Sequence, residues 1–174
     1  MNDLIERNKQ AILEKHEKME KTLKNSKKLF LHDEYDISIS EFALMHKQDQ
    51  LKFNKILAKW DNAKKTKFIE SVFLKLPMQK IFLLRTESGE YKIVDGNSRV
   101  LTILEFISVI DGDFTNLTSD LFFLKDFEGI SFNSLKEKIK FEFLLTRIKT
   151  VIMLKDENNV VNFMCNRLNS EKFS

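Results

Sequence analysis

The sequence predicts an α+β domain, a small mixed sheet flanked by helices, with a helical arm at its N-terminus. Three observations lead there. The 174 residues suit one domain, and 43% are hydrophobic, enough for a core. Apolar residues recur at helical spacing in four or five stretches, and between these lie short β-rich runs. The order of elements reads helices, hairpin, helix, helix, strand, helix, with no repeat and no linker.

Residues 3 to 30 carry Ile5, Ile12, His16, Met19 and Leu23 at spacings of seven, four, three and four, with Lys and Glu between them and no Gly or Pro. This predicts an amphipathic helical arm over 1–34, ahead of a domain over 35–174. Five acids and eight bases make the arm lean positive. Packing on its own domain, pairing with a partner helix or oligomerisation, and a nucleic-acid contact are all open to it.

Residues 35–40, YDISIS, alternate and predict a short strand. Residues 41–60 predict a helix ending near Trp60. A further helix is expected over 62–75, on the stripe Phe68, Ile69, Val72 and Phe73, stopped by Pro77, the only proline. "KIFLL" (80–84) and "YKIV" (91–94) predict a hairpin with Gly89 in its turn. A helix follows from Ser98 to Ile110, broken by "DGDF". Residues 117–132 read as short pieces, with "LFFL" and "GISF" as strands or turns. Residues 133–146 predict a helix, "IKTVIML" (148–154) a strand, and the last stretch a helix. The phenylalanines at 122, 123, 127, 132, 141 and 143 are expected in the core.

Composition excludes several classes. The single cysteine, Cys165, leaves no disulfide framework, and His16, His32 and His46 show no zinc-ligand spacing. The N-terminal residues are charged, without the apolar region of a signal peptide, and no apolar run is long enough to span a bilayer. A cytoplasmic location without membrane partners is therefore expected. Net charge is +3, which permits nucleotide or nucleic-acid partners without requiring them. No Ser-His-Asp or Cys-His set is visible.

The chemistry concentrates at "DGNSR", Asp95 to Arg99, where a strand turns into a helix. A helix N-terminus offers unpaired N–H groups and partial positive charge. Gly96 lets a ligand approach the backbone, so the corner suits an anion. Arg99 in the first turn opposes the helix dipole unless it meets an anion or a carboxylate. Asp95 is placed to cap the helix, hold Arg99 or bind a phosphate-bound Mg²⁺. The residues alone leave a second reading open: Asp-Gly is a common turn pair, Asn97 or Ser98 suits the N-cap, and Arg99 suits a surface ion pair. Glu70 is open to two roles as well, a solvated helix residue or the buried partner of Arg99. The cluster Lys64, Lys65 and Lys67 reads as a solvated face or a phosphate contact.

Around this corner the sequence resembles the N-terminal domain family of GmrSD-type restriction endonucleases. Ile69-Glu70-Ser71, Pro77, Asp95-Gly96, Arg99 and Thr102 match its ordered motifs. Trp60 matches a tryptophan ahead of them, and Phe163, Arg167, Leu168 and Asn169 match its F-x-x-hydrophobic-N element. The resemblance covers about 36–170 and implies a ParB/sulfiredoxin-like fold. It implies a module of a DNA-modification-dependent restriction or anti-phage system that binds, and by extension hydrolyses, a nucleoside triphosphate with Mg²⁺. Asp95 and Arg99 would be catalytic and Gly96, Asn97, Ser98 and Arg99 would hold phosphate, with Asp95 as the Mg²⁺ ligand. Glu70, Ser71, Lys55, Arg167 and Asn169 would support them.

Two departures bear on this. The family's Gln-Gln pair is Asn97-Ser98 here, polar but shorter. Lys55 stands where an arginine is usual and lacks its planar fork. The family's HNH-type nuclease half has no counterpart, so this chain is expected to hold no nuclease active site and to end early relative to its relatives. A nuclease subunit, a missing C-terminal domain and DNA are the implied partners. The alternative is a DNA-binding or protein-docking module that keeps the fold without catalysis.

Overall fold

The computed structural model describes residues 2–53, 60–154, 160, 163, 164, 166 and 167. The elements run α1 (Asn2–Leu29), β1 (His32–Ser38), α2 (Ile39–Lys47), β2 (Leu51–Lys52), α3 (Asn62–Phe73), β3 (Ile81–Arg85), β4 (Tyr91–Asp95), α4 (Asn97–Phe106), α5 (Glu137–Leu144) and β5 (Arg147–Met153). The fold is α+β. Its five-stranded sheet has the order β1-β5-β3-β4-β2. β1 pairs antiparallel with β5, β5 parallel with β3, β3 antiparallel with β4, and β4 parallel with β2, so the sheet is mixed. No described helix is long and apolar enough to cross a membrane.

One sheet face carries Ile81, Leu83, Ile93, Ile148 and Ile152 and is covered by the helices. α4 lies within this layer, with Val100, Ile103, Leu104 and Phe106 all buried. Phe106, Phe73 and Phe143 join α4, α3 and α5. Phe73 and Phe143 have centroids 4.6 Å apart, and Phe106 and Phe143 5.6 Å. The opposite face carries Leu84, Val94 and Met153, with Phe82 and Met164 against them.

The hairpin forms as predicted, with Gly89 at φ 85° in its turn. The other departures trace to how the helices end. α2 stops at Lys47 rather than near Trp60, and β2 follows it; residues 54–59 lie outside the described set. α4 stops at Phe106, short of Ile110. α3 ends at Phe73 before Pro77 is reached, so the proline follows the stop and does not cause it. In each case the chain turns through a left-handed residue that is not glycine: Asp49 (φ 57°), Lys75 (φ 52°) and Ser108 (φ 57°). Each shows the paired bonds of a Schellman ending. Lys75 N–H donates to the Val72 carbonyl at 3.1 Å and Leu76 N–H to that of Ser71 at 3.0 Å, and 49/50 and 108/109 repeat the pattern. With only four glycines in the chain, these stops carry no glycine signal.

Other corrections are smaller. β1 begins at His32, so the sheet takes in residues read as the end of the arm. Ser38, at its last position, opens α2 with a capping box: its hydroxyl accepts from Glu41 N–H and the Glu41 carboxylate accepts from Ser38 N–H. In and around residues 117–132 the chain forms one isolated bridge, Asn116 to Ser131, and short 3₁₀ turns at 125–127 and 132–134 rather than strands. α5 starts at Glu137 instead of 133. Phe132 and Phe143 are core, but Phe122 and Phe123 are 73% and 71% exposed, and Phe141 is also exposed.

Candidate functional site

The strand-to-helix corner is built by β4 and α4. Ile93 is buried at the strand's centre and Asp95 is its last residue. Gly96 follows at φ 100°, the left-handed region that favours glycine, and serves as the N-cap of α4 with no side-chain cap bond. A Cβ at Gly96 would collide with Ile81 Cδ1 and lie 3.3 Å from Arg99 Nη2. Backbone angle and space therefore both require glycine. Asn97 is buried, and Thr102 donates its hydroxyl to the Ser98 carbonyl at 2.7 Å.

Arg99 is 8% exposed. Its Nη2 donates to Asp95 Oδ2 at 2.6 Å, an i,i+4 ion pair. Its Nη1 donates to the carbonyls of Gln79 and, at 3.2 Å, Lys80. The guanidinium thus ties the corner to the segment leading into β3. Burial pushes its pKa below the ordinary arginine value, and the Asp95 carboxylate opposes the shift. Three of its five N–H donors are engaged in these bonds. The structure gives the awkward first-turn arginine its partner: it is held by the acid four residues before it.

Glu70 lies on α3, buried, and does not pair with Arg99. Its carboxylate accepts from three successive backbone N–H groups. Phe122 lies at 2.9 and 3.1 Å from its two oxygens, Phe123 at 2.7 Å and Leu124 at 2.8 Å. Burial raises its pKa, but the three amides outweigh this and leave it below the usual carboxylate value. One helical turn earlier, Thr66 Oγ1 accepts from the N–H and hydroxyl of Thr118. α3 therefore clamps the 118–124 segment at two points, and its exposed Phe122 and Phe123 rings stand T-shaped at 4.7 Å. Sequence reasoning missed this clamp. Its only local trace is Thr66 and Glu70 on one helix face, and the donor loop lies 52 residues on.

Ser71 donates back to the Lys67 carbonyl at 2.9 Å and leaves the corner alone. Arg167 sits over the Phe163 ring at 4.6 Å. Lys55 and Asn169 lie outside the described residues. Lys65, read as part of a solvated face, is instead largely buried and paired with Glu105 of α4. Lys64 lies over the Trp60 ring at 4.8 Å.

Among the described residues, no three His, Cys, Asp or Glu side chains gather as a cation site. Asp95 is a single carboxylate. Mg²⁺ often binds one or two carboxylates and completes its shell with phosphate oxygens and water. One such carboxylate, its Oδ2 already accepting from Arg99, is what the corner offers a cation.

A scan against protein families matches residues 57–173 to the family described as GmrSD restriction endonuclease, N-terminal domain. The chain belongs to this family. The match spans α3 to the C-terminal segment, and so the corner, the Glu70 clamp and β5. In GmrSD terms the chain is a component of a restriction or defence system. The arm α1, with β1, α2 and β2, lies outside the match. No curated protein and no solved structure matches the chain.

Proposed function

We propose that the corner Asp95–Arg99 binds the phosphate end of a nucleoside triphosphate, and that the domain is the nucleotide-responsive part of a modification-dependent restriction or anti-phage system. The observation that carries this is the start of α4 at a left-handed glycine, with a buried guanidinium fixed directly behind it. The helix dipole favours an anion at this end, while Gly96 itself is buried against Ile81 and Arg99. Arg99 is a positioning residue in this reading. It adds positive charge while its bonds to Gln79, Lys80 and Asp95 hold the corner's shape, so no reorganisation is needed on binding. Asn97 and Ser98 would contact the phosphates. Asp95 would hold the Mg²⁺, which when bound neutralises phosphate charge. Hydrolysis is the further step the family resemblance suggests, with Asp95 and Arg99 carrying it.

Titration calorimetry with GTP, CTP and ATP, with and without Mg²⁺, tests the binding. At least one should give heat and raise the melting temperature, and Ser98→Ala and Arg99→Lys should weaken it with folding intact. No heat and no thermal shift for any nucleotide would sink the proposal. Phosphate release lost in Asp95→Ala would carry the hydrolytic step.

A second reading rests on Phe122 and Phe123, rigidly clamped yet exposed: a docking or DNA-contacting module without catalysis. It expects a salt-dependent DNA mobility shift, or a partner contact, that survives Arg99→Lys and is lost in Phe122→Ala.

A further inference from the structure

The arm α1 presents an apolar stripe that its own domain leaves uncovered. Every side chain from Lys9 to Asn25 is exposed, with Ile12 at 54%, Met19 at 59% and Leu23 at 57%. A long helix in water draws most of its stability from burying such a face, so this stripe calls for an occupant. The residues repeat in sevens: Ile12 and Met19 form one row, His16 and Leu23 the other, with Lys9 and Ser26 continuing them outward. That spacing is the one a two-stranded coiled-coil seam uses.

We propose that α1 pairs antiparallel with α1 of a second copy of this chain. The charge distribution selects both the partner and the direction. Residues 2–14 hold three acids and two bases, while residues 15–29 hold two acids and six bases. An antiparallel pair sets each strongly basic half beside the other copy's slightly acidic half. A parallel pair would set six bases beside six. The seam also matches in one register. Ile12 of each copy meets Leu23 of the other, and His16 meets Met19. Lys9 meets Ser26 at the wet margins. Parallel pairing would stack Lys9 on Lys9 and His16 on His16. The two-fold axis crosses the middle of the seam, so the contact is closed and self-complementary. The arm lies outside the family match, so this contact is a property of the chain's own N-terminal region.

Sedimentation equilibrium on the full chain over a concentration series tests it. The expected mass is that of a dimer at micromolar concentration. Leu23→Glu removes two seam leucines per dimer and should weaken association by about 100-fold or more. The melting temperature of the domain should not change, because Leu23 is exposed in the single chain. Orientation is read by mild oxidation in a Cys165→Ser background. Ile12→Cys and Leu23→Cys should each stay uncross-linked alone and should form a disulfide dimer when mixed. A monomer at every concentration, or a dimer untouched by Leu23→Glu, overturns the pairing. A cross-link from either cysteine variant alone, or none from the mixture, overturns the antiparallel register.

Discussion

Glu70→Gln is the sharpest test of how this fold is held. The substitution keeps size and shape and removes one charge at a buried site. In the native protein a carboxylate meets three consecutive N–H groups at 2.7 to 3.1 Å. Hydrogen bonds to a charged group are worth about 1.5–3 kcal/mol each, and their sum is not additive. A glutamine offers one acceptor oxygen, and its NH₂ group puts donors in place of the other. All three amides reach Oε1, so a glutamine carbonyl there keeps them as weaker neutral bonds, and only the second Phe122 contact, at Oε2, meets a donor instead; the expected loss is about 1–3 kcal/mol. Urea denaturation at neutral pH measures it, with the midpoint falling and the slope unchanged. Hydrogen exchange at Phe122, Phe123 and Leu124 should quicken more than in the core strands. A loss below about 0.5 kcal/mol, the scale of an ordinary surface substitution, would refute the clamp as a source of stability.

Three further outcomes follow from the same geometry. Acid should weaken the wild-type fold. Glu70 and Glu41, the latter lowered chiefly by the Ser38 hydroxyl, both sit below their unfolded value of about 4.3. Their contribution is therefore complete above that pH and is lost as pH falls through the depressed native values. Denaturation curves across that window should show it, with a shallower decline in Glu70→Gln. Gly96→Ala should destabilise by about 2–4 kcal/mol, combining left-handed strain with the clash at Ile81, and thermal melts would read it. Lys75→Gly should stabilise by about 0.5–1 kcal/mol, because φ 52° strains a lysine more than the added glycine entropy costs; an unchanged midpoint would count against the Schellman account of α3.

Local signals in the sequence reached far but unevenly. The hairpin, the α4 corner and the strand at 148–154 were legible because each is announced within a few residues: alternation, Gly89, and Asp-Gly before an apolar run. The ion pair of Asp95 with Arg99 was legible as one of three options, since i,i+4 spacing brings them within reach. The helix ends at 47, 73 and 106 were not. A lysine, an aspartate and a serine occupy left-handed positions where glycine would have marked the stop, and packing holds them there against their own preference. Lys65 was misread as solvated because its partner, Glu105, is 40 residues away.

By itself, then, the sequence determined the α+β class and the place of the corner, because periodicity and turn chemistry act over a handful of residues, and its ordered motifs carried the family. Only the tertiary structure decided what Glu70 and Arg99 hold. Arg99 reaches back to Gln79 and Lys80, and Glu70 closes on amides of 122–124. It also turned Phe122 and Phe123 outward. A backbone N–H is the same in every residue, so no side-chain pattern can announce which loop will present three of them to a buried carboxylate.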